Sequence, residues 1–215
     1  MAFTRLMLVR HGETAANREF RYLGARDDLL TEKGQEQALQ LAKALQPLPL
    51  TAVYSSSLQR AYQTAQAIAR PLALDVQVRE ALRECNFGTW EGLSRAEVLA
   101  RSSQDAELLQ HWEKDMQVAP PEGESFARLS ERVLTEVSAL AARHIAETIV
   151  IVSHVGPIKT LLAAALDIPQ TSALRIFLDP ATISVIDWQE TRSLVRLVNG
   201  LAHPDLRNSR WLSGK

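Results

Sequence analysis

The chain contains one cysteine, Cys85, among 215 residues, so neither an intrachain disulfide nor a metal cluster built from several thiolates can form. An excess of charge of either sign is also missing: 24 Lys and Arg stand against 25 Asp and Glu, a formal net charge of −1. No overall electrostatic field therefore favours a nucleic acid or a membrane surface as partner. Any positive field has to be local.

Long apolar runs are absent as well. No stretch approaches the roughly 18 apolar residues that a membrane span requires, and the N-terminal apolar segment meets a charge too early for a signal peptide. We therefore expect a cytoplasmic protein. The sequence has no repeat, no low-complexity tract and no linker rich in Gly, Pro or Ser, so residues 1–215 are expected to form a single domain.

The hydrophobic pattern predicts alternating strands and helices. The expected strands are 5–9, 51–55, 148–153, 183–188 and 193–198, the last two as a closing hairpin. Helices are expected after the N-caps Thr31 and Ser57, over 125–146, and from about Pro157. This alternation predicts an α/β fold with a largely parallel sheet. The less periodic stretch 88–124 is expected to pass over the sheet as a lid or cap.

Three of the predicted strands end in residues with chemical function. Arg10 and His11 follow the first strand, Arg60 lies in the first turn of the helix after the second, and His154 follows 148–153. In a parallel sheet these ends share one edge, beside helix N-termini that favour anions. Guanidinium groups match phosphate oxygens, and an imidazole can attack phosphorus and carry the phosphoryl group covalently. The pattern predicts a phosphoryl-transfer site.

Such a site also needs a group that protonates the leaving oxygen, and ALRECNFGTWEGLS (81–94) offers two carboxyl groups, Glu84 and Glu91. A bound phosphate would raise the pKa of a neighbouring carboxyl group, which suits Glu84 to donate a proton near neutral pH. The alternative for Glu84 is a structural ion pair with Arg83 or another basic residue. Glu91 is expected to make a turn or cap contact and to take no direct part in catalysis.

Six blocks of the sequence, LVRHGET, LTEKGQEQA, SSLQRAYQTA, LRECNFGTWEG, PPEGESFARLSERV and IVSHVGPIKTLL, resemble in order those of the histidine phosphatase, or phosphoglycerate mutase-like, superfamily. The resemblance covers roughly residues 5 to 160. It implies a three-layer α/β/α sandwich with a mixed, mostly parallel sheet, helices on both faces and a short cap. It implies no metal and no cofactor.

The resemblance also implies roles for individual residues. The phosphate-binding residues would be Arg10, His11, Asn17, Arg60 and His154. Among these, His11 would be the phosphorylated nucleophile, and His154 would stabilise the charge on the phosphoryl group during transfer. Glu84 would be the general acid and base.

The short cap and the NFGTWEGLS block resemble the phosphatase branch, which includes broad-specificity and α-ribazole phosphatases. The expected function is metal-independent hydrolysis of a small phosphomonoester, such as α-ribazole phosphate, by a monomer or homodimer. One alternative is a phosphoglycerate mutase, which returns the phosphoryl group to its substrate. Another is a binding module for phosphorylated ligands without turnover. A metal-dependent hydrolase is disfavoured, because no carboxylate stands at ligand spacing from His11 and His154.

Several residues keep open interpretations. Phe87, Trp90 and Trp112 either line the substrate cleft or pack in the core. Gly12 is expected to let the backbone approach the phosphoryl oxygens closely. Surface or interface positions are expected for His111, His144 and His203.

Overall fold

The computed structural model describes residues 2–189 and 192–202, which fold around one six-stranded sheet. The strands are β1 (Thr4–Arg10), β2 (Leu50–Ser55), β3 (Val76–Val78), β4 (Thr148–Ser153), β5 (Thr182–Trp188) and β6 (Leu194–Leu201), in the order β3-β2-β4-β1-β5-β6. The first four strands of this order are parallel, while β5 is antiparallel to β1 and β6 to β5. The predicted mixed, mostly parallel sheet is confirmed.

Helices cover both faces of the sheet. They are α1 (Ala15–Arg18), α2 (Glu32–Leu45), α3 (Gln59–Ala69), α4 (Arg95–Arg101), α5 (Ser103–Trp112), α6 (Phe126–Arg143), α7 (Val155–Leu166) and α8 (Gln170–Ala173). On β1, Met7 and Val9 pack in the core that α2 and α3 complete, whereas Leu6 and Leu8 pack in the core of α6 and α7. This alternation of side chains between two cores produces the three-layer α/β/α sandwich.

One of the two predicted N-caps, Thr31, is confirmed by the structure, and the other, Ser57, is not. The Thr31 hydroxyl accepts a hydrogen bond from Gly34 N, as an N-cap should. The expected cap at Ser57 is wrong: α3 begins at Gln59, and the carboxylate of Asp27 accepts from Gln59 N at 2.5 Å. Because Asp27 lies 32 residues earlier in the chain, local sequence could not reveal this cap.

Two other elements differ from the expectation. β3 has three residues, too few for a strand pattern to stand out. The stretch 88–124 contains α4 and α5, each capped by a serine, Ser94 and Ser102. No helix in the described part of the chain is long and apolar enough to cross a bilayer.

The surface position expected for His144 is corrected by the structure. His144 is half-buried, and its ring nitrogens bond the Tyr54 hydroxyl at 2.8 Å and the Glu147 carboxylate at 2.6 Å. It therefore ties the end of α6 to the sheet and is not a free surface residue. His111 is exposed, as expected. His203 lies outside the described residues.

Gly12 and Gly34 let the β1 exit and the start of α2 approach backbone to backbone. A Cβ on Gly12 would lie 2.4 Å from Gly34 O, and one on Gly34 would lie 2.2 Å from Glu13 O. Real Cβ atoms do not approach a carbonyl oxygen so closely, so both positions require glycine. The contact with Gly34 requires glycine at position 12 by itself, and the expected approach to a phosphoryl group stays a prediction.

We predict that Gly34→Ala lowers the free energy of unfolding by about 1–3 kcal/mol, because the new methyl group meets rigid backbone. Urea unfolding measures this effect. The exposed Glu36→Ala, on the same helix, is the control and should stay within about 0.5 kcal/mol of the wild type. Helix propensity alone would make Gly34→Ala stabilising, and that result would contradict the close contact.

Candidate active site

The parallel strands bring the predicted site residues to one edge of the sheet. Arg10 ends β1, and the backbone N–H of the next residue, His11, bonds Ser153 O at the end of β4 at 3.1 Å. His154 follows β4 directly, and Arg60 lies in the first turn of α3, after β2. The shared edge that the sequence predicted is therefore present.

His11 is held in one tautomer. Its Nδ1 lies 2.7 Å from Gly12 O, and because a carbonyl oxygen only accepts, Nδ1 carries the hydrogen. Nε2 is left with its lone pair, the form that a nucleophile needs. The sequence did not identify this orienting contact, since the acceptor is a backbone atom.

His154 packs behind His11, with the ring centroids 5.1 Å apart. Its Nε2 lies 2.8 Å from the hydroxyl of Ser56. Ser56 Oγ also accepts from Leu58 N at 3.2 Å. His154 Nδ1 is buried without a hydrogen-bond partner among the described residues.

Both arginines are anchored by backbone carbonyls. Arg10 Nη1 donates to Leu178 O, while Arg60 Nη1 and Nη2 donate to Arg26 O at 2.6 Å and Gly24 O at 2.7 Å. The Nε of each arginine is buried, and the described part of the chain offers neither a partner. Burial lowers the pKa of Arg10 and of Arg60 to about 10, which still leaves both charged at neutral pH.

The two imidazoles are kept neutral by their surroundings. Burial is the main cause that holds the pKa of His11 and of His154 well below 6.5, and the charge of Arg60 is the next. A neutral His11 is competent to attack phosphorus without first losing a proton.

Glu84 is held against the N-terminus of α7. Its Oε1 accepts from Cys85 N at 2.9 Å and from Gly156 N at 3.0 Å. A Cβ on Gly156 would lie 2.3 Å from that oxygen, so glycine at this position makes room for the carboxylate. Burial raises the pKa of Glu84 in spite of these hydrogen bonds and the nearby arginines. The ion pair with Arg83 is not observed, because Arg83 pairs with Glu80.

A cavity of about 170 Å³ joins most of these groups. Five of the six predicted residues line it: Arg10, His11, Asn17, Arg60 and Glu84. The side-chain oxygen of Asn17 caps α1 by accepting from Thr14 N at 3.1 Å, which leaves its amide NH₂ as a donor. The sixth, His154, does not line the cavity: it is fully buried and its ring packs against the ring of His11.

A second, larger cavity of about 390 Å³ adjoins the first. Tyr22, Glu84, Phe87 and Val155 line both cavities. The apolar side chains found only in the larger one are those of Trp112, Met116, Phe126 and Leu174. Of the aromatic residues that the sequence left open, Phe87 and Trp112 therefore line a cleft, and Trp90 is core. Glu84 stands where the two cavities meet.

Sequence reasoning missed three supporting residues. Ser56 bonds His154, and Thr64 Oγ1 accepts from Gly12 N at 3.1 Å. The carboxylate of Glu13 binds Lys33 at 2.9 Å and Thr31 at 3.1 Å, two residues from His11. The LVRHGET and SSLQRAYQTA blocks contain all three, but their partners are distant in sequence.

Within 2–189 and 192–202, no three His, Cys, Asp or Glu side chains are grouped so that they could hold a metal ion.

The family follows from comparison with known proteins. The model of the histidine phosphatase superfamily (branch 1) matches residues 6–200. The chain belongs to this superfamily. It is also similar to a solved structure, YhfR of Bacillus stearothermophilus, with a TM-score of 0.84 and 33% identity over 92% of this chain and 98% of that one.

Curated relatives are named for several activities. A bifunctional protein of Mycobacterium tuberculosis (strain ATCC 25618 / H37Rv) is 42% identical over 91% of this chain, which spans only 54% of that relative. Phosphoserine phosphatase 1 of Hydrogenobacter thermophilus is 34% identical, with 93% of each chain covered. Adenosylcobalamin/alpha-ribazole phosphatase of Escherichia coli K12 is 33% identical, over 92% of this chain and 97% of that relative. Of these relatives, the two that this chain covers over most of their length are both named as phosphatases.

We predict that the buried imidazoles make the fold sensitive to acid. Below pH 6.5 these two histidines bind protons in the unfolded chain but stay neutral in the folded protein. They therefore leave the free energy of unfolding unchanged above pH 6.5 and lower it as the pH falls below that value. Each neutral imidazole contributes up to about 1.4 kcal/mol per pH unit. His154→Asn should therefore flatten the pH dependence of the free energy of unfolding between pH 6.5 and 5. Urea unfolding at several pH values measures it, and parallel profiles for wild type and variant would contradict the assignment.

Proposed function

We propose that the protein hydrolyses phosphomonoesters without a metal, through a phosphohistidine at His11. The observation that carries the proposal is the position of Glu84 between the two cavities. On one side lie the nucleophile and two arginines. On the other lies a space large enough for the alcohol part of an ester, with apolar side chains and with the polar side chains of Glu113, Lys159, Thr160 and Gln170. Glu84 is thus close to the oxygen that joins the two parts.

The first step is attack by His11 Nε2 on phosphorus. As the N–P bond forms, the bond between phosphorus and the ester oxygen breaks, and Glu84 gives its proton to that oxygen. The raised pKa of Glu84, caused by burial, supports this proton donation near neutral pH. The alcohol then leaves through the second cavity.

The second step returns the enzyme to its starting state. Glu84, now ionised, takes a proton from water as the water oxygen attacks phosphorus, and the N–P bond breaks to release phosphate. Arg10 and Arg60, which line the cavity, bind the equatorial oxygens in both steps, and the amide NH₂ of Asn17 is a further donor there. Positive charge and positioning are what phosphoryl transfer mainly requires, and these residues supply both.

The second cavity supports a substrate class. Its lining by Phe87, Trp112, Met116 and Phe126 favours an alcohol with an apolar or aromatic part. α-Ribazole phosphate fits this description, and the relative named as an alpha-ribazole phosphatase supports it.

We predict that phosphate release from such esters continues in excess chelator and falls at least 1,000-fold in His11→Ala. The assay is phosphate release from a panel of α-ribazole phosphate, phosphoserine and 3-phosphoglycerate, with His11→Ala compared with the wild type. The exposed His111→Ala is the matched control and should keep wild-type activity. Turnover that survives the loss of His11 would overturn the proposal. Isomerisation of phosphoglycerate faster than phosphate release would identify a mutase.

We also predict that Glu84→Gln slows the hydrolysis of alkyl phosphates about 100-fold or more, which is the usual contribution of a general acid. Hydrolysis of an ester with a good leaving group, such as 4-nitrophenyl phosphate, should slow less than tenfold, because its leaving-group oxygen departs without a proton. Comparing kcat/KM for the two substrates tests the role of Glu84. Equal losses on both would show that Glu84 is not the proton donor.

A further inference from the structure

The direction of the Arg60 guanidinium is set by a short loop. Its two terminal nitrogens donate to Gly24 O at 2.7 Å and Arg26 O at 2.6 Å, so the loop 24–26 holds the far end of the side chain. Arg60 is fully buried, and with these bonds made its Nε is the donor without a partner among the described residues. Any movement of the loop would therefore turn Arg60 in the phosphate cavity.

Glu91 holds this loop from the other side. Its Oε1 accepts from Ala25 N at 2.7 Å and its Oε2 from Arg26 N at 3.1 Å. The same carboxylate accepts from Phe87 N at 3.2 Å, which links the loop to the chain that carries Glu84.

The backbone of the loop is shaped around this carboxylate. Gly24 has φ +55°, and a Cβ there would lie 2.1 Å from Glu91 Oε1. Glycine at this position both permits the left-handed backbone and admits the carboxylate. The amides of 25 and 26 then point at Glu91, while the carbonyls of 24 and 26 accept from Arg60.

We propose that Glu91 is a positioning residue for Arg60: by binding the amides of the loop 24–26, it fixes the carbonyls that orient the guanidinium toward the phosphoryl group. The inference rests on the proposed function for the role of Arg60 in phosphoryl binding. Glu91 does not line the phosphate cavity itself, so it acts through Arg60. This role is more than the turn contact that the sequence predicted.

A carboxylate suits this role because it accepts several N–H groups at once. An alanine would leave the amides of Ala25 and Phe87 without their acceptor and Arg26 N with only its longer bond to Leu23 O at 3.2 Å, and the loop would relax. Misplacement of a transition-state donor by about 1 Å can cost about 100-fold in rate. The loss should appear in kcat/KM, since Arg60 binds the phosphoryl group in the bound ester as well as during transfer.

The test is a double-mutant cycle between Glu91 and Arg60. We expect Glu91→Ala to lower kcat/KM by about 10- to 100-fold in the wild-type background and by less than twofold in Arg60→Ala, because the group that it positions is already absent. Glu91→Gln keeps one accepting oxygen and should lie between wild type and Glu91→Ala. Equal losses in the two backgrounds would overturn the proposal.

Two further measurements separate this effect from simple damage. Circular dichroism and thermal unfolding report whether each variant is folded. If Glu91→Ala is unfolded, Glu91→Gln replaces it in the double-mutant cycle. Asp115→Asn is the matched control: its carboxylate also accepts a backbone N–H, from Gln117, but it is exposed on the same excursion and should leave activity unchanged. The ratio of kcat/KM for alkyl and 4-nitrophenyl phosphates should also stay as in the wild type, because Glu84 is still in place.

The cycle distinguishes failure of this inference from failure of the proposed function. If the wild type hydrolyses no ester, the proposed function fails. The same cycle is then measured on the binding of inorganic phosphate by calorimetry, where Glu91→Ala should weaken binding only when Arg60 is present. Additive effects on phosphate binding would overturn the positioning role whatever the turnover.

Discussion

The structure depends on one electrostatic arrangement, two buried guanidinium groups beside two neutral imidazoles at the carboxyl edge of the sheet. Arg10 and Arg60 are anchored by carbonyl oxygens, and a carbonyl oxygen leaves the charge of its guanidinium intact. The charge of Arg60 and the burial of the site keep His11 unprotonated. A site with this balance favours a dianion and presents it to a nucleophile that is ready to react.

The position of Glu84 extends this arrangement to the leaving group. Helix α7 supplies Gly156 N–H to hold the carboxylate, while burial raises its pKa. The same helix begins next to His154, so one strand end and one helix start position both Glu84 and His154. Phe87, from the same segment as Glu84, and Trp112, from the cap, place apolar side chains beside Glu84 in the second cavity.

The sequence predicted the strands, the shared edge and the residues that meet there, because apolar runs followed by Arg10, His11 and His154 form a pattern over a few residues. It did not predict the contacts that orient them. The acceptor for His11 is a backbone oxygen, and the cap of α3 comes from Asp27, 32 residues before Gln59. Such contacts depend on how distant loops meet, which a local pattern does not contain. The short β3 was missed for a simpler reason, since three residues show no period.

The most direct test of the account is the chemical identity of the phosphorylated enzyme during turnover. The wild type would be mixed with excess 4-nitrophenyl phosphate and quenched in base within milliseconds, and the phosphoryl group located by mass spectrometry and nuclear magnetic resonance. The hydrogen bond from Nδ1 to Gly12 O predicts an acid-labile phosphoryl group on His11 Nε2. A phosphoryl group on Nδ1 or on another residue, or product formed with no phosphoenzyme, would contradict it.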